Sequence, residues 1–457
     1  MKLNLDNIKD KKVLVVGLGK SGIAAMEAMV KLGADVSVQD SKAADAVDAE
    51  LMEYIEENNV SGYFGAVPDD MTQFDMVILS PGVPPELQFV QDAAAAGAEV
   101  IGELEVAYRF GKGQYVALTG TNGKTTTTTL VGEIFEKAGK ETHVVGNIGV
   151  AVVSKSLDVT DDAWLVTETS SFQLETICDF KPVVSAVLNL TPDHLNRHKT
   201  MENYGAAKAR IFENQDENQY LVINYDDKVC FDLAKDCRAK VVPFSRMEEL
   251  EFGAFVKDGV IVIKNEQGEL ISFCRADELN IPGTHNLENA LAAAAVAYFA
   301  GLDAAVITKA LVEFQGVEHR IEFCGEVNGV RFVNDSKGTN PEASIKAIDA
   351  MKGGIVLSAG GYDKGSSFDE LIEGFNGKVK HMVLLGKTAP MIKETAEKHG
   401  FNNSIIVKDM EECVNEGFRL AEPGDTVLLS PACASWDMYK SFEQRGEHFK
   451  DCVKKLM

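Results

Sequence analysis

The apolar run Lys12-Val13-Leu14-Val15-Val16 enters Gly17; a helical stretch follows to Lys31, and a second apolar strand from Asp35 closes at Asp40. Short β-branched runs alternating with segments of helical period mark β-α-β units. The pattern continues with strands at 76–79 and 99–101 around a helix over 85–96, so a first α/β domain ends near 103–113. In the middle of the chain Tyr115-Val116-Ala117-Leu118-Thr119 reads as a strand that meets a glycine turn and then a helix. Strands at 164–167, 183–188 and 220–223, a hairpin-like stretch over 255–273 and a helix over 287–299 complete one large mixed domain. After Gly316 the alternation restarts, with strands at 355–357, 382–385, 404–407 and 426–429 separated by helical segments, which predicts a parallel sheet.

A length of 457 residues supports three such domains, at 1–105, 106–315 and 316–457. With 45% hydrophobic and 25% charged residues, the composition is that of a soluble globular protein. Forty-five basic against seventy acidic residues leave a net charge of -25, which argues against a nucleic-acid surface while allowing a local basic site for anions. The eight cysteines show neither C-x-x-C pairs nor metal-ligand spacing, so a reducing cytoplasm is the expected setting. The N-terminus lacks a signal-peptide core, and the most apolar later stretch, 290–302, is too short to span a bilayer and reads as a buried helix.

The chemistry concentrates in loops after strands. Gly120-Thr121-Asn122-Gly123-Lys124-Thr125-Thr126 follows a strand and opens a helix, the context in which backbone N–H groups and a helix N-terminus cradle phosphate. Lys124 would reach the terminal phosphates and Thr125 would hold Mg²⁺. A strict phosphate-loop motif needs glycine where this chain has Leu118, so the loop is a shortened variant with Gly120 taking over the turn. Gly17-Leu18-Gly19-Lys20-Ser21-Gly22, with Asp40 at the end of the next strand, fits a pyrophosphate at a helix N-terminus; a dinucleotide and a UDP-sugar satisfy it equally. Ser80-Pro81-Gly82 ends another strand and belongs to the same cleft.

Glu168 closes the apolar strand Trp164-Leu165-Val166-Thr167 and is placed to bind Mg²⁺; the alternative is an exposed strand-end acid. Asn189-Leu190-Thr191-Pro192-Asp193-His194-Leu195-Asn196-Arg197-His198 lacks the further ligands of a zinc site and reads as Mg²⁺ and phosphate contacts, or as a solvated loop. By periodicity alone Lys208 is a surface lysine. Asn286 and Asn289 cap a helix or touch ligand, and Arg320 and Lys337 offer cations to phosphates or form an interdomain salt bridge.

Taken together, the loop at 120–126, Gly146-Asn147-Ile148-Gly149, Glu168-Thr169-Ser170-Ser171-Phe172-Gln173-Leu174, the segment 193–198, His285-Asn286, His319-Arg320 and Asn334-Asp335-Ser336-Lys337 resemble the Mur ligase family across all three domains. The tail, Ser430-Pro431-Ala432-Cys433-Ala434-Ser435-Trp436-Asp437 with Phe442-Glu443-Gln444-Arg445-Gly446, is similar to the family's D-glutamate-adding members. The resemblance implies an α/β fold with a Rossmann-like UDP-binding domain, a central phosphate-loop ATPase-type domain and a Rossmann-like C-terminal domain. It also implies a cytoplasmic, monomeric ligase of peptidoglycan synthesis, acting with ATP on UDP-N-acetylmuramoyl-L-alanine and D-glutamate through an acyl phosphate, with no membrane or nucleic-acid partner.

Residues carry over by motif. Gly17 to Gly22, Asp40, Ser80, Pro81 and Gly82 would hold the UDP part, and Asn147 the muramoyl part. Gly120, Asn122, Gly123, Lys124, Thr125, Thr126, Asn286, Arg320 and Asp335 would bind ATP. Thr125, Glu168, His194 and a carbamylated Lys208 would hold two Mg²⁺, with Lys124, His194, Lys208 and Arg320 catalytic. Lys337, Thr339, Lys364, Ser435 and Phe442 would take D-glutamate. Folylpolyglutamate synthase, which lacks the first domain, is disfavoured by residues 1–101; a regulatory GTPase is disfavoured by the absence of an N-K-x-D motif. An NAD-dependent oxidoreductase is the alternative from another class.

Overall fold

The computed structural model describes residues 4–281, 283–362 and 367–457. It divides into two compact units: the chain through Leu279 with Leu287–Glu313, and Asn280–Asn286 with Phe314–Met457.

The first unit carries two sheets. Strands β1 (Lys12–Val16), β2 (Asp35–Asp40), β3 (Ser61–Phe64), β4 (Met76–Leu79) and β5 (Glu99–Gly102) form a parallel sheet in the order β3-β2-β1-β4-β5. Val13 and Val15 of β1 enter one apolar core and Leu14 and Val16 another, which is why this strand reads as an unbroken apolar run. The strand order reverses between β1 and β4, and open α/β sheets bind ligands at such switch points, outside the carboxyl ends of the strands.

The second sheet has nine strands: β6 (Gln114–Thr119), β7 (Thr142–Gly146), β8 (Trp164–Glu168), β9 (Val184–Val187), β10 (Tyr220–Asn224), β11 (Lys240–Ser245), β12 (Gly253–Lys257), β13 (Val260–Lys264) and β14 (Leu270–Arg275). Their order is β14-β13-β12-β11-β10-β9-β6-β8-β7, parallel from β7 to β12 and antiparallel through β13 and β14, the mixed sheet the sequence predicts. The alanine-rich stretch over 290–297 is fully buried in the helix Thr284–Phe299, as expected.

The segment 103–113 is not an open linker. Residues Glu103–Phe110 form a helix with both N-terminal glutamates buried. Glu105 accepts the backbone N–H groups of Cys178, Asp179 and Phe180 at 2.8, 2.9 and 3.1 Å, and Glu103 accepts that of Val153 at 2.7 Å. One apolar core then continues from Val13 and Val15 through Leu104 and Ala107 to Tyr115 and Ala117 of β6.

The second unit holds β15 (Glu322–Val327), β16 (Val330–Asn334), β17 (Ile355–Ala359), β18 (Val379–Leu384), β19 (Ser404–Ile406) and β20 (Thr426–Leu429), in the order β15-β16-β20-β17-β18-β19. The sheet is parallel except for β15, an antiparallel edge strand that the sequence pattern does not reveal. No helix among the described residues is long and apolar enough to cross a membrane.

Candidate active site

At the switch point of the first sheet the loops after β1 and β4 are joined: Ser80 Oγ donates to the Gly17 carbonyl at 2.7 Å. Gly17 has φ +84°, and a Cβ on Gly22 would lie 1.9 Å from the Gly17 carbonyl oxygen, so both glycines are demanded by the turn and by the approach of the helix Lys20–Lys31. A Cβ on Gly19 or Gly82 would meet nothing within 4 Å, which leaves room beside the loop for a ligand. Lys20 and Ser21 open the helix, and Pro81 lies half-buried between Ser80 and Gly82. Asp40 is buried, and its carboxylate accepts the N–H groups of Leu18 at 2.7 Å and Lys42 at 2.9 Å. Its first role is therefore to hold the glycine loop.

In the second sheet β6 lies between β8 and β9, so the phosphate loop emerges beside the loops that end both neighbours. Gly120 (φ +152°) and Gly123 (φ +82°) bound a short turn into the helix Lys124–Lys137. That helix opens on five consecutive threonines, poor helix formers by propensity. Burial of Thr125 to Thr128 and the back-bond from Thr127 Oγ1 to the Gly123 carbonyl at 3.0 Å override the local preference. Lys124 Nζ donates to the carbonyls of Gly120 and Thr121, both at 2.9 Å, so its ammonium rests over the loop's own turn. Thr125 and Thr126 are buried in the first turn behind it.

Lys208 is 1% exposed, contrary to the surface position its periodicity suggests. Its helix, Met201–Ala209, buries Tyr204, Gly205, Ala207 and Lys208, and Lys208 Nζ donates to the Gly120 carbonyl at 2.8 Å and stands 4.6 Å from the centre of the Tyr204 ring. Burial, and then the nearby Lys124 charge, hold its pKa well below the ordinary lysine range. Glu168, 2% exposed at the end of β8, accepts Asn147 Nδ2 on Oε1 at 2.8 Å. Its Oε2 has no hydrogen-bond donor among the described residues. A buried carboxylate oxygen without a donor is costly unless a cation meets it, so Glu168 fits an Mg²⁺ ligand and is not the exposed acid of the alternative reading.

His194 is half-exposed at φ +53°, with its ring 4.9 Å from Phe172, while His198 is buried and shares a 2.9 Å hydrogen bond with Ser171 Oγ. The two histidines of the segment thus part, one toward solvent and one into the core.

In the second unit His319 (φ +63°) and Ile321 (φ +48°) flank Arg320, a strained turn for a β-branched residue. Arg320 Nε is buried without a hydrogen-bond acceptor among the described residues. Burial pushes Asp335 up to about 6 against the pull of Arg320, and Asp335 Oδ2 accepts Ser430 Oγ at 2.7 Å. Lys337 Nζ stands 5.6 Å from the centre of the Phe442 ring, and Thr339 donates its N–H to the Lys337 carbonyl at 2.9 Å. Ser435 is buried in the loop after β20, and Asn286 is buried at the start of its helix. His285, beside it, is pushed down to about 4 by burial and then by Arg320, and so stays neutral. Lys364 lies outside the described residues. Glu318, His319 and Glu447 bring three potential metal-ligand atoms within 4.8 Å of one another, and Lys450 already lies there, 2.7 Å from Glu447 and paired with Glu318.

Two residues of consequence carried no role in the sequence reading. Asn189 bonds the phosphate loop, with its Oδ1 2.8 Å from the Asn122 nitrogen. Arg445, fully inside the second unit, joins the Ser336 hydroxyl (2.9 Å), the Ser336 carbonyl (2.7 Å) and the Cys433 carbonyl (3.0 Å), tying together the loops that carry Lys337 and Ser435. Both stand inside motifs, but nothing in spacing distinguishes a side chain that shapes a loop from one that touches ligand.

Three family models match the chain: the MurD-like N-terminal domain of Mur ligases over residues 11–102, the Mur ligase middle domain over 118–297 and the Mur ligase glutamate ligase domain over 319–433. A UDP-N-acetylmuramoylalanine–D-glutamate ligase of Alkaliphilus oremlandii is 52% identical over 455 residues, covering 98% of this chain and 99% of its own. One of the same description from Clostridioides difficile is 49% identical, covering 98% of this chain and 100% of its own. Among solved structures, the UDP-N-acetylmuramate-alanine ligase MurC of Thermotoga maritima aligns with a TM-score of 0.60 at 18% identity, over 98% of this chain and 100% of that one. The MurF ligase of Thermotoga maritima in complex with ADP aligns with a TM-score of 0.57 at 18% identity, over 100% of this chain and 98% of that one. At such identities the structures speak for the fold.

Proposed function

The chain belongs to the Mur ligase family, and from that premise we propose that it joins D-glutamate to UDP-N-acetylmuramoyl-L-alanine with ATP, in cytoplasmic peptidoglycan synthesis, as a monomer of three domains at 1–105, 106–315 and 316–457. The observation that carries the reading is the cluster at the ends of β6 and β8. There a glycine turn opens a helix, buried Lys208 bonds the turn, and buried Glu168 presents an oxygen without a donor.

A carboxylate is a poor electrophile, and phosphorylation supplies the leaving group it lacks. The L-alanyl carboxylate oxygen attacks the γ-phosphorus of ATP, the bond to the β–γ bridging oxygen breaks, and ADP departs from an acyl phosphate. The D-glutamate amine then attacks the acyl carbon, loses a proton, and phosphate leaves with its oxygen. Lys124 supplies positive charge to the phosphates in the first unit and Arg320 does so in the second, with Asp335 and Asn286 as further nucleotide contacts. Thr125, Glu168, His194 and carbamylated Lys208 are the residues for two Mg²⁺, whose charge would offset that building on the phosphoryl oxygens.

Burial supports the carbamate. CO₂ adds to a neutral amine, whose nitrogen bonds the carbon and releases a proton, and Lys208 is buried where its cation is disfavoured. Lys337, Thr339, Lys364, Ser435 and Phe442 take D-glutamate, cations and hydroxyls on its carboxylates and the ring on its stem. Gly17 to Gly22, Asp40, Ser80 to Gly82 and Asn147 take the UDP substrate.

Phosphate release from ATP and Mg²⁺ with UDP-N-acetylmuramoyl-L-alanine tests the reading, with D-glutamate, L-glutamate, L-alanine or L-lysine added separately. Release with D-glutamate alone is expected. Release with another amino acid overturns the assignment of Lys337, Ser435 and Phe442, and release with none overturns the ligase reading.

A further inference from the structure

The phosphate loop is short, with only Gly120 to Gly123 separating β6 from its helix, and a glycine at positive φ stands at each of its ends. The backbone between those glycines is fixed from the next strand. The β9–β6 ladder ends at the pair Thr119 and Val187, and Leu188 then donates to the Thr119 carbonyl at 3.0 Å. Thr121 donates its N–H to the Asn189 carbonyl at 3.1 Å. From there a side chain takes over from the main chain. Asn189 Oδ1 accepts the Asn122 N–H at 2.8 Å, and Asn189 Nδ2 donates to the Asn122 carbonyl at 3.0 Å. The carboxamide thus offers one acceptor and one donor to a single residue, as a paired strand would.

The Asn189 segment is itself anchored from the end of β10 and the turn after it: Asn224 Nδ2 donates to the Leu188 carbonyl at 2.9 Å and Asp227 Oδ2 accepts the Leu190 N–H at 2.8 Å. Three adjacent strand ends are therefore pinned in series. A Cβ on Gly120 would lie 3.0 Å from Leu188 Cβ, so the loop also packs directly on this support.

Resting on the ATP reading above, we propose that Asn189 is a positioning residue that extends the β9–β6 ladder through its side chain and holds the phosphate loop in its nucleotide-binding shape before ATP arrives. The Asn122 N–H is engaged by Asn189 and so serves the loop's shape. A loop ordered in advance avoids the cost of ordering on binding, so the benefit falls on nucleotide affinity.

The test compares wild type with Asn189→Ala and Asn189→Asp. Read out are the dissociation constant of a non-hydrolysable ATP analogue with Mg²⁺, the KM of each substrate, and the melting temperature. Loss of both bonds in Asn189→Ala should weaken analogue binding and raise the ATP KM about tenfold, the scale of one or two hydrogen bonds, leaving the other two KM values within about twofold. Asn189→Asp has nearly the same shape and keeps the acceptor for the Asn122 N–H. It turns an anionic oxygen on the Asn122 carbonyl, so it should weaken ATP at least as much at an unchanged melting temperature. Either variant folding with wild-type nucleotide affinity overturns the proposal. So does a pattern in which both lose melting temperature and kcat while every KM stays unchanged, which is a merely structural role. A wild-type protein that binds no nucleotide overturns the ATP reading itself, and the wild-type arm reports that separately.

Discussion

Lys208 owes its chemistry to where its side chain ends. A lysine in water is a cation and unreactive toward CO₂; one sealed behind the Gly120 carbonyl and the Tyr204 ring loses the solvation that keeps it charged. If Lys208 carries the proposed carbamate, Lys208→Ala should lose most ligation and recover part of it with added formate or acetate, whose carboxylate would stand in for the carbamate oxygens. Full activity in the unsupplemented variant would sink that role. Lys124 makes a different argument, because its ammonium rests on two loop carbonyls that a triphosphate would displace. Lys124→Ala should lower kcat/KM for ATP by about a hundredfold or more, the usual scale for a preorganised charge on developing anionic oxygen. Initial rates across ATP concentration check this, and a loss under tenfold would move the charge-stabilising role elsewhere. The strand-end position of Glu168 is legible from its apolar run. The depth of Lys208 is not, because its helix shows no amphipathic contrast to mark an inward face, and Asn189 and Arg445 act on loops distant in sequence.

Among the elements, the helix Glu103–Phe110 shows what local pattern leaves out. Its glutamates look like a solvated helix start, yet they cap backbone N–H groups of segments some 50 to 75 residues away. Glu103 is fully buried, has one oxygen without a hydrogen-bond partner among the described residues, and is pushed up to about 7 by burial. Unfolded, the same carboxyl titrates near 4.5, so between those values the folded state binds more protons than the unfolded one. Stability from this group is thus greatest below 4.5 and falls as pH rises to about 7. Glu103→Gln keeps an acceptor for the Val153 N–H and removes the charge. It should raise the melting temperature at pH 8 by several degrees and change it little at pH 4.5, which thermal melts at the two values would show. An equal shift at both would assign the effect to packing. Of the strands that escape the sequence pattern, β3, β7 and β15 are edge strands, short or with exposed positions, while β11 lies inside its sheet between β10 and β12 and is interrupted by Pro243. The buried central strands β1, β4, β6, β8 and β17 are legible because both faces are covered, and the loops that follow four of them carry the candidate site.

For the molecule as a whole, an acidic surplus must coexist with substrates that are themselves anions. Seventy acids against forty-five bases leave -25, and many of the bases are already committed to pairs such as Lys137 with Glu313 and Lys257 with Glu249. The cations proposed for the substrates are accordingly held by position, each within its own unit: Lys124 over its loop in the first, Arg320 in a strained turn and Lys337 over an aromatic ring in the second. Surplus charge repels itself, and that repulsion is screened as the Debye length falls from roughly 30 Å near 0.01 M salt to about 8 Å near 0.15 M. Exposed ion pairs are screened as well, but each contributes only about 0–1 kcal/mol, and the net charge of -25 remains after every base is matched to an acid. Melting temperature should therefore rise by a few degrees over that range of sodium chloride, a salt chosen over sulfate because sulfate stabilises folded proteins by exclusion as well. A flat or falling trend would mean that the paired charges, and not the surplus, govern the electrostatics of this fold.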